Sequence, residues 1–87
     1  MTNKSLMEFP CDFQIKVIGV NNDTFLLEMI QITRKHFPKT DDQAIRTQPS
    51  QQGNYLSLTI TLYVEDQMTL DALYIELTAH PDTKMVL

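Results

Sequence analysis

Apolar and polar residues alternate strictly along residues 53–64, GNYLSLTITLYV. One side of this period-two pattern is aliphatic and consists of Leu56, Leu58, Ile60, Leu62 and Val64. The other side is polar and aromatic and consists of Tyr55, Ser57, Thr59, Thr61 and Tyr63. This alternation is typical of a half-buried β-strand, and the segment contains no proline. The pattern predicts a central strand with one apolar face that the rest of the chain must cover.

Residues 12–20, DFQIKVIGV, predict a second strong strand. Phe13, Ile15 and Val17 alternate with polar side chains, which again indicates one buried face. We expect this strand to end at Gly19.

Two weaker strands complete the predicted sheet. Residues 44–48, AIRTQ, are weakly apolar and run into a proline, which is typical of an edge strand. A turn at residues 50–54 joins them to the central strand as a hairpin, with Gly53 and Asn54 best able to adopt a positive φ. Residues 83–87, TKMVL, are long enough only for a short closing strand.

Two segments repeat apolar residues at spacings of three and four, which indicates amphipathic helices. The first helix is predicted over Asp23–His36, with Asn21, Asn22 and Asp23 as N-cap candidates and a proline after its end. Its buried stripe is predicted to be Leu26, Met29, Ile30, Thr33 and Phe37. The second helix follows the N-cap candidate Asp66, and its buried stripe is predicted to be Leu70, Leu73, Tyr74 and Leu77.

The predicted order of elements is β-α-β-β-α-β, which indicates an α+β fold. This order favours the ferredoxin-like sandwich, a four-stranded antiparallel sheet with two helices on one face. We predict a single domain over residues 11–87, with residues 1–10 as a lead-in that lays Leu6 and Phe9 over an edge of the core. The first and third strands are expected to be central. Their uncovered face would present Gln14, Lys16 and Ile18 beside the polar side of the third strand.

Charge and composition exclude several classes of function. The net charge is −4, so the basic stripe that nucleic acid requires is absent, and Lys16 is the only base that the pattern places near Tyr55 and Tyr63. A single cysteine, Cys11, calls for no oxidising compartment, and no apolar run approaches the length of a membrane span. We therefore expect a cytoplasmic protein that contacts neither nucleic acid nor membrane.

Catalytic and metal-binding motifs are also absent from the sequence. It contains no GxSxG motif, and Cys11 has no activating histidine near it in the chain. His36 and His80 each lie at the end of a predicted helix, where interaction with terminal carbonyl groups and the helix dipole explains them. These residues lack the close spacing of metal ligands. We predict a protein that is not an enzyme and has no catalytic residues, metal or cofactor.

Three segments together resemble a known family: MEFPCDFQIKVIG, PSQQGNYLSLTI and LYIELTAHPDTKMVL. The chain is similar over residues 6–87 to the YbeD-like family of small uncharacterised bacterial proteins. The resemblance implies a ferredoxin-like fold similar to the ACT regulatory domain, whose members bind small ligands and commonly pair through their sheets. Gln51 and Gln52 depart from the family pattern, which has Ser and Lys at these positions, so a cation at the hairpin tip is missing here.

Two surfaces remain as candidate sites. The loop after the first strand, with Gly19, Asn21, Asn22 and Asp23, would line the ligand pocket of an ACT-like domain, although turn and capping roles also account for these residues. The hairpin and the uncovered sheet face offer amphipathic aromatic side chains that are frequent in interfaces. The predicted interface consists of Lys16, Ile18, Ser50, Gly53, Asn54, Tyr55, Ser57, Thr59 and Tyr63.

These surfaces support two functional hypotheses from different classes. The first is a non-enzymatic regulatory or adaptor protein that uses the sheet face for a homodimer or for another protein partner. The second is an ACT-like sensor that binds a small polar, amino-acid-like metabolite at the loop after the first strand. An enzyme with an unassigned site is a weaker third option.

Overall fold

The computed structural model describes residues 9–87 of the chain, so the predicted position of Leu6 lies outside the described residues. Phe9, the first described residue, packs against the core. The elements are β1 (Cys11–Val20), α1 (Asp23–His36), a 3-10 turn (Asp42–Ala44), β2 (Ile45–Pro49), β3 (Tyr55–Val64), α2 (Gln67–Ala79) and β4 (Thr83–Val86).

The four strands form one antiparallel sheet in the order β2-β3-β1-β4. β1 and β3 pair along their whole length, with Ile15 opposite Ile60 near the middle. The two most apolar strands are therefore central, and the ferredoxin-like sandwich predicted from the sequence is confirmed. Burial explains this order, because a central strand loses more contact with water than an edge strand and so gains most from aliphatic side chains.

The core lies between the helices and one face of the sheet. All five aliphatic residues of the predicted β3 face are buried, and Ile15 and Val17 of β1 are fully buried beside them. Leu70, Leu73 and Leu77 of α2 are buried as predicted. Tyr74 is half-buried and packs at the edge of this cluster.

The buried stripe of α1 is rotated from the predicted one. Phe25, Met29 and Thr33 are fully buried, whereas Leu26 and Ile30 are only half-buried. The cause is a tertiary contact, because the Phe25 ring lies directly over Gly19 of β1. A Cβ atom at Gly19 would lie 2.2 Å from Cζ of Phe25. Both stripes have helical spacing, so the periodicity of the sequence does not separate them.

Two predicted strand boundaries and one predicted turn conformation are corrected by the backbone. β1 continues through Gly19 to Val20 because the N–H of Val20 donates to the carbonyl of Asp82. β2 begins at Ile45, since Ala44 belongs to the 3-10 turn capped by Asp41. In the hairpin, Gly53 has the predicted positive φ of 79°, but Asn54 does not have a positive φ.

Both helices begin at side-chain caps that the sequence predicted. Oδ1 of Asn22 accepts a hydrogen bond from the N–H of Phe25 at 2.7 Å. Oδ1 of Asp66 accepts one from the N–H of Thr69, also at 2.7 Å. The backbone hydrogen bond from Thr69 holds the pKa of the Asp66 carboxyl below its ordinary value, because it stabilises the charged form.

Candidate functional site

The loop after β1 and the tip of the β2-β3 hairpin lie together at one end of the sheet. Nδ2 of Asn21 donates a hydrogen bond to the carbonyl of Gly53 at 2.9 Å, and its backbone N–H donates to the carbonyl of Asn54 at 3.1 Å. Two segments that the sequence offered as separate candidates are therefore neighbours. The side-chain amide of Asn21 is engaged within the chain.

The other loop residues also have structural roles, and the role of Asp23 is that of an acid in the first turn of a helix. Asn22 caps α1, and Asp23 is an exposed residue of its first turn. Gly19 is buried, and a Cβ atom there would approach the carbonyl oxygen of Asp82 to 2.6 Å as well as the Phe25 ring. Packing, turn formation and capping therefore account for every one of these residues.

Ser50 closes the hairpin. Its N–H donates to the carbonyl of Tyr55 at 2.8 Å, and its Oγ accepts from the N–H of Tyr55 at 3.1 Å. The N–H of Gly53 donates to the carbonyl of Ser50 at 2.9 Å. Gln51 and Gln52 are exposed at the tip, so their departure from the family pattern changes the surface of the hairpin and leaves its turn intact.

Two surface cavities lie away from this loop. One of about 430 Å³ lies at the opposite end of the sheet, between the end of α1 and the start of α2, and Asp12, Tyr63 and Thr69 are among its lining residues. A shallower one of about 530 Å³ lies beside Glu28 and His80. Neither cavity is lined by the residues of the predicted ligand loop.

The two histidines form reciprocal pairs with glutamates across the helix layer. Nε2 of His36, at the end of α1, lies 2.6 Å from Oε1 of Glu76 in α2, and Nε2 of His80, after α2, lies 2.5 Å from Oε1 of Glu28 in α1. The predicted partners, the terminal carbonyl groups, are therefore corrected to carboxylates of the opposite helix. Lys35 also binds Glu76, at 2.9 Å.

Two hydrogen bonds favour the charged form of Glu76. A hydrogen bond from Lys35, and next one from His36, hold the pKa of the Glu76 carboxyl below its ordinary value. The Glu76 side chain is partly covered by these two partners. The arrangement ties the end of α1 to the last turn of α2 and offers no nucleophile.

The described part of the chain contains no cluster of side chains that could bind a metal ion. No group of three or more His, Cys, Asp or Glu side chains among residues 9–87 is placed to hold a metal ion. Cys11 is a half-buried free thiol at the start of β1. No helix of the described residues is long and apolar enough to cross a membrane.

No element among residues 9–87 covers the sheet face opposite the helices, and we call it the open face. Its residues follow from the register, because residues that lie directly opposite each other in neighbouring strands point to the same side. They are Asp12, Gln14, Lys16, Ile18 and Val20 of β1, Arg46 and Gln48 of β2, Tyr55, Ser57, Thr59, Thr61 and Tyr63 of β3, Met85 of β4, and Leu87 beyond it.

Large apolar and aromatic side chains are exposed on the open face. Tyr55 is 46% exposed and Tyr63 59%, while Met85 is 50% and Leu87 59% exposed. Ile18 pairs with Met85 and is half-buried. Folding leaves this surface in water, and such side chains are typical anchors of protein interfaces.

Two cations lie in the middle row of the open face. Lys16 is opposite Thr59 on one side, and Arg46 is opposite Thr59 on the other. The sequence-based placement of Lys16 as the only nearby base was therefore wrong. In the alternation of AIRTQ, Arg46 falls on the side opposite Ile45. Together with the hairpin register, this pattern would have placed Arg46 on the open face.

The fold places the chain in a known structural class. It is similar to the ACT domain from GTP pyrophosphokinase of Chlorobium tepidum, whose crystal structure gives a TM-score of 0.69 at 16% identity over 88% of this chain and 97% of that chain. The solution NMR structure of the same domain gives a TM-score of 0.67 at 15% identity over 87% and 84%. The chain is thus an ACT-like, ferredoxin-like domain in fold.

Sequence similarity then gives the family. The family model described as "Protein of unknown function (DUF493)" matches residues 4–87. A UPF0250 protein of Paraburkholderia phytofirmans is 40% identical over 85 residues, which are 98% of this chain and 96% of the relative. A UPF0250 protein of Neisseria gonorrhoeae is 42% identical over 83 residues, which are 95% and 91%. The chain belongs to the DUF493 family, and the resemblance to YbeD-like proteins is confirmed.

The family name and the names of these relatives describe no activity. The family is therefore one of small bacterial proteins without an enzymatic name. Function has to be argued from the surface of the chain itself.

Proposed function

We propose that this protein is a non-enzymatic regulatory or adaptor module that binds another protein through its open face. The observation that carries the proposal is the exposure of Tyr55, Tyr63, Met85 and Leu87 on one side of a sheet whose other side packs against the two helices. These exposed apolar and aromatic side chains are removed from water only when a binding partner covers them. The same proposal has the protein act in the cytoplasm, where its free thiol, Cys11, stays reduced.

The helix side of the molecule is a poorer candidate for this interface. Leu27 and Ile75 are also exposed, but they lie apart on two helices. Leu27 is next to Glu28 near the end of α2, whereas Ile75 is next to Glu76 near the end of α1. Single exposed aliphatic residues of this kind are common on monomers.

Paired substitutions on the two sides of the molecule test the proposal. Tyr55→Ala with Tyr63→Ala removes the aromatic anchors, and Leu27→Ala with Ile75→Ala removes equally exposed residues from the helix side. We expect wild type and the helix-side variant to retain the same protein from a lysate of a bacterium with this gene, and the tyrosine variant to lose it. Retention that depends on the helix-side residues would refute the proposal. Sedimentation of the purified protein over a range of concentrations decides whether the retained partner is a second copy.

A second candidate is a sensor of a small polar, amino-acid-like metabolite at the loop after β1. The observation that favours it is the convergence of Asn21 with the exposed hairpin tip, which forms a polar end of the sheet. A ligand at one hundred times its dissociation constant stabilises a fold by about 2.7 kcal/mol. A melting-temperature screen against amino acids, with Asn21→Ala and Asp23→Ala as variants, tests it. A shift that both variants retain would exclude this loop.

A further inference from the structure

The charge of the open face is opposite in sign to that of the whole protein. The net charge is −4, yet the four strands contain only one acidic residue, Asp12, at the beginning of β1. Lys16 and Arg46 both lie on the open face. The acidic side chains of the described residues are otherwise carried by helices, loops and turns. The sheet therefore presents a positive centre on an acidic protein.

The two cations are held at a defined spacing. Lys16 and Arg46 flank Thr59 across three neighbouring strands, so their Cα atoms are separated by two strand spacings, about 10 Å. Neither side chain forms an ion pair with another residue of the described part of the chain. The Thr59 hydroxyl between them adds a hydrogen-bond donor. The two cations and the hydroxyl can all donate hydrogen bonds to carboxylates.

Apolar groups lie in the rows next to the cations. Ile18, opposite Met85, occupies the row on one side of Lys16, and Tyr55 opposite Val20 lies one row further. A partner that satisfies this surface therefore combines carboxylates with aliphatic side chains a few ångströms away. The combination is typical of an acidic protein segment.

A second copy stacked face to face is disfavoured by the position of the cations. Five rows cross the β1-β3 pair on the open face, and the row of Lys16 and Thr59 is the middle one. A two-fold axis through the centre of the face brings this row against itself, so four cations, Lys16 and Arg46 of both copies, share one row. No acidic residue shares that row. Like charges at close range suppress such a complex.

Single-stranded nucleic acid is disfavoured by the position of the aromatic residues. Tyr55 and Tyr63 are the two ends of the exposed side of β3, eight residues and about 27 Å apart. They are too distant to stack neighbouring bases. Two cations on a protein of net charge −4 also supply little of the counterion release on which such binding depends.

We propose that the partner of the open face is an acidic protein segment. Its carboxylates bind Lys16, Thr59 and Arg46, and its aliphatic side chains pack on Ile18 and Met85. This inference rests on the proposed function and specifies the chemistry of its partner.

A displayed library of random twelve-residue peptides is the probe for this inference. We expect selection on the purified protein to enrich peptides with a net negative charge and at least two aliphatic residues. When the ¹⁵N-labelled protein is titrated with a synthetic peptide of a selected sequence, the changes in amide chemical shift should be largest in β1 and β3. Affinity should fall at least tenfold between 50 and 300 mM salt, because Lys16 and Arg46 are exposed and salt screens their charges.

Charge-reversal variants separate this contact from general electrostatic attraction. Lys16→Glu and Arg46→Glu should each lower the affinity for the selected peptide at least tenfold. Lys39→Glu makes the same change in net charge at an exposed residue in the loop after α1, and it should change the affinity less than twofold. All three variants should keep the melting temperature of wild type within a few degrees.

The possible results distinguish the two proposals. Peptides that bind the open face without preference for negative charge would overturn the acidic partner and leave the proposed function standing. Peptides that bind another surface, or no enrichment at all, would count against both. Tighter binding of a ten-residue oligothymidine than of any peptide, lost in Lys16→Glu, would replace the acidic segment with nucleic acid.

Discussion

Nε2 of His80 lies 2.5 Å from Oε1 of Glu28, and the other ring nitrogen, Nδ1, accepts a hydrogen bond from the backbone N–H of Asp82 at 3.1 Å. The second contact determines the role of the first. A nitrogen that accepts a hydrogen bond carries no proton, so the neutral ring must hold its proton on Nε2 and donate it to Glu28. The ring also packs edge-on against Phe25, with the centroids 5.5 Å apart.

This geometry predicts unequal effects of removing the two partners. His80→Ala should lower the free energy of unfolding by about 2 kcal/mol, because it removes a largely buried ring, its contact with Phe25 and the acceptor for Asp82. Glu28→Ala should cost only about 0.5 kcal/mol, because the Glu28 side chain is 47% exposed and water replaces its contact. Urea denaturation measures both values. Equal costs would contradict the buried role of the ring, and ¹⁵N NMR at pH 8 checks the Nε2–H tautomer directly.

The lowered pKa of Glu76 predicts a loss of stability in acid. Because the folded-state pKa is depressed by Lys35 and His36, the contribution of Glu76 is complete above its pKa in the unfolded chain. It is lost as the pH falls through the lower folded value. We expect Glu76→Gln to reduce stability at pH 7 and to flatten the decline below pH 5, as measured by urea midpoints from pH 7 to pH 3. Glu65→Gln, an exposed acid outside the ion pairs of the described residues, is the control and should leave the slope unchanged.

The two glycines of the chain should respond differently to alanine. Gly19→Ala inserts a Cβ atom 2.6 Å from the carbonyl oxygen of Asp82, a backbone atom that cannot move freely, and should destabilise the fold by about 2 to 3 kcal/mol. Gly53→Ala meets no atom within 4 Å and should cost only about 1 kcal/mol for its positive φ. Chemical denaturation of the two variants side by side measures the difference. A larger cost at Gly53 would contradict the packing of Phe25 over Gly19.

The N-cap role of Asn22 predicts a stability effect without any ligand. Asn22→Ala removes the acceptor for the N–H of Phe25 and should lower the free energy of unfolding by about 1 kcal/mol. Gln31→Ala, at an exposed position within α1, should leave it within about 0.5 kcal/mol of wild type. Thermal and urea unfolding measure both. An unchanged Asn22→Ala variant would remove the capping explanation and strengthen the case for a ligand role of the loop.

The local elements could be predicted because their signals are local. The alternation in residues 53–64 and the caps at Asn22 and Asp66 depend only on neighbours in the chain, so the strands, the helices and the fold class followed from them. The buried stripe of α1 could not be fixed in the same way. Phe25 and Leu26 both fit a helical period, and only the space above Gly19 selects Phe25.

The candidate site was predictable in part for the same reason. Tyr55, Thr59 and Tyr63 were assigned to one uncovered side of β3 from alternation alone, and the structure places them there. Arg46 was missed as a neighbour of Lys16, because thirty positions separate them and the hairpin register decides which residue of β2 meets Thr59. The glutamate partners of His36 and His80 were missed on similar grounds, since each pair joins two helices.

The amino-acid sequence by itself determined the order of the elements and the apolar faces of β1 and β3, and its resemblance to known proteins indicated the family. The elements and the apolar faces follow from backbone geometry and side-chain polarity over a few neighbouring residues. Only the tertiary structure decided which distant side chains meet: Phe25 over Gly19, His80 against Glu28, and Lys16 in one row with Arg46. Such contacts depend on strand order, register and the rotation of each helix, which the packing of the whole core fixes at once.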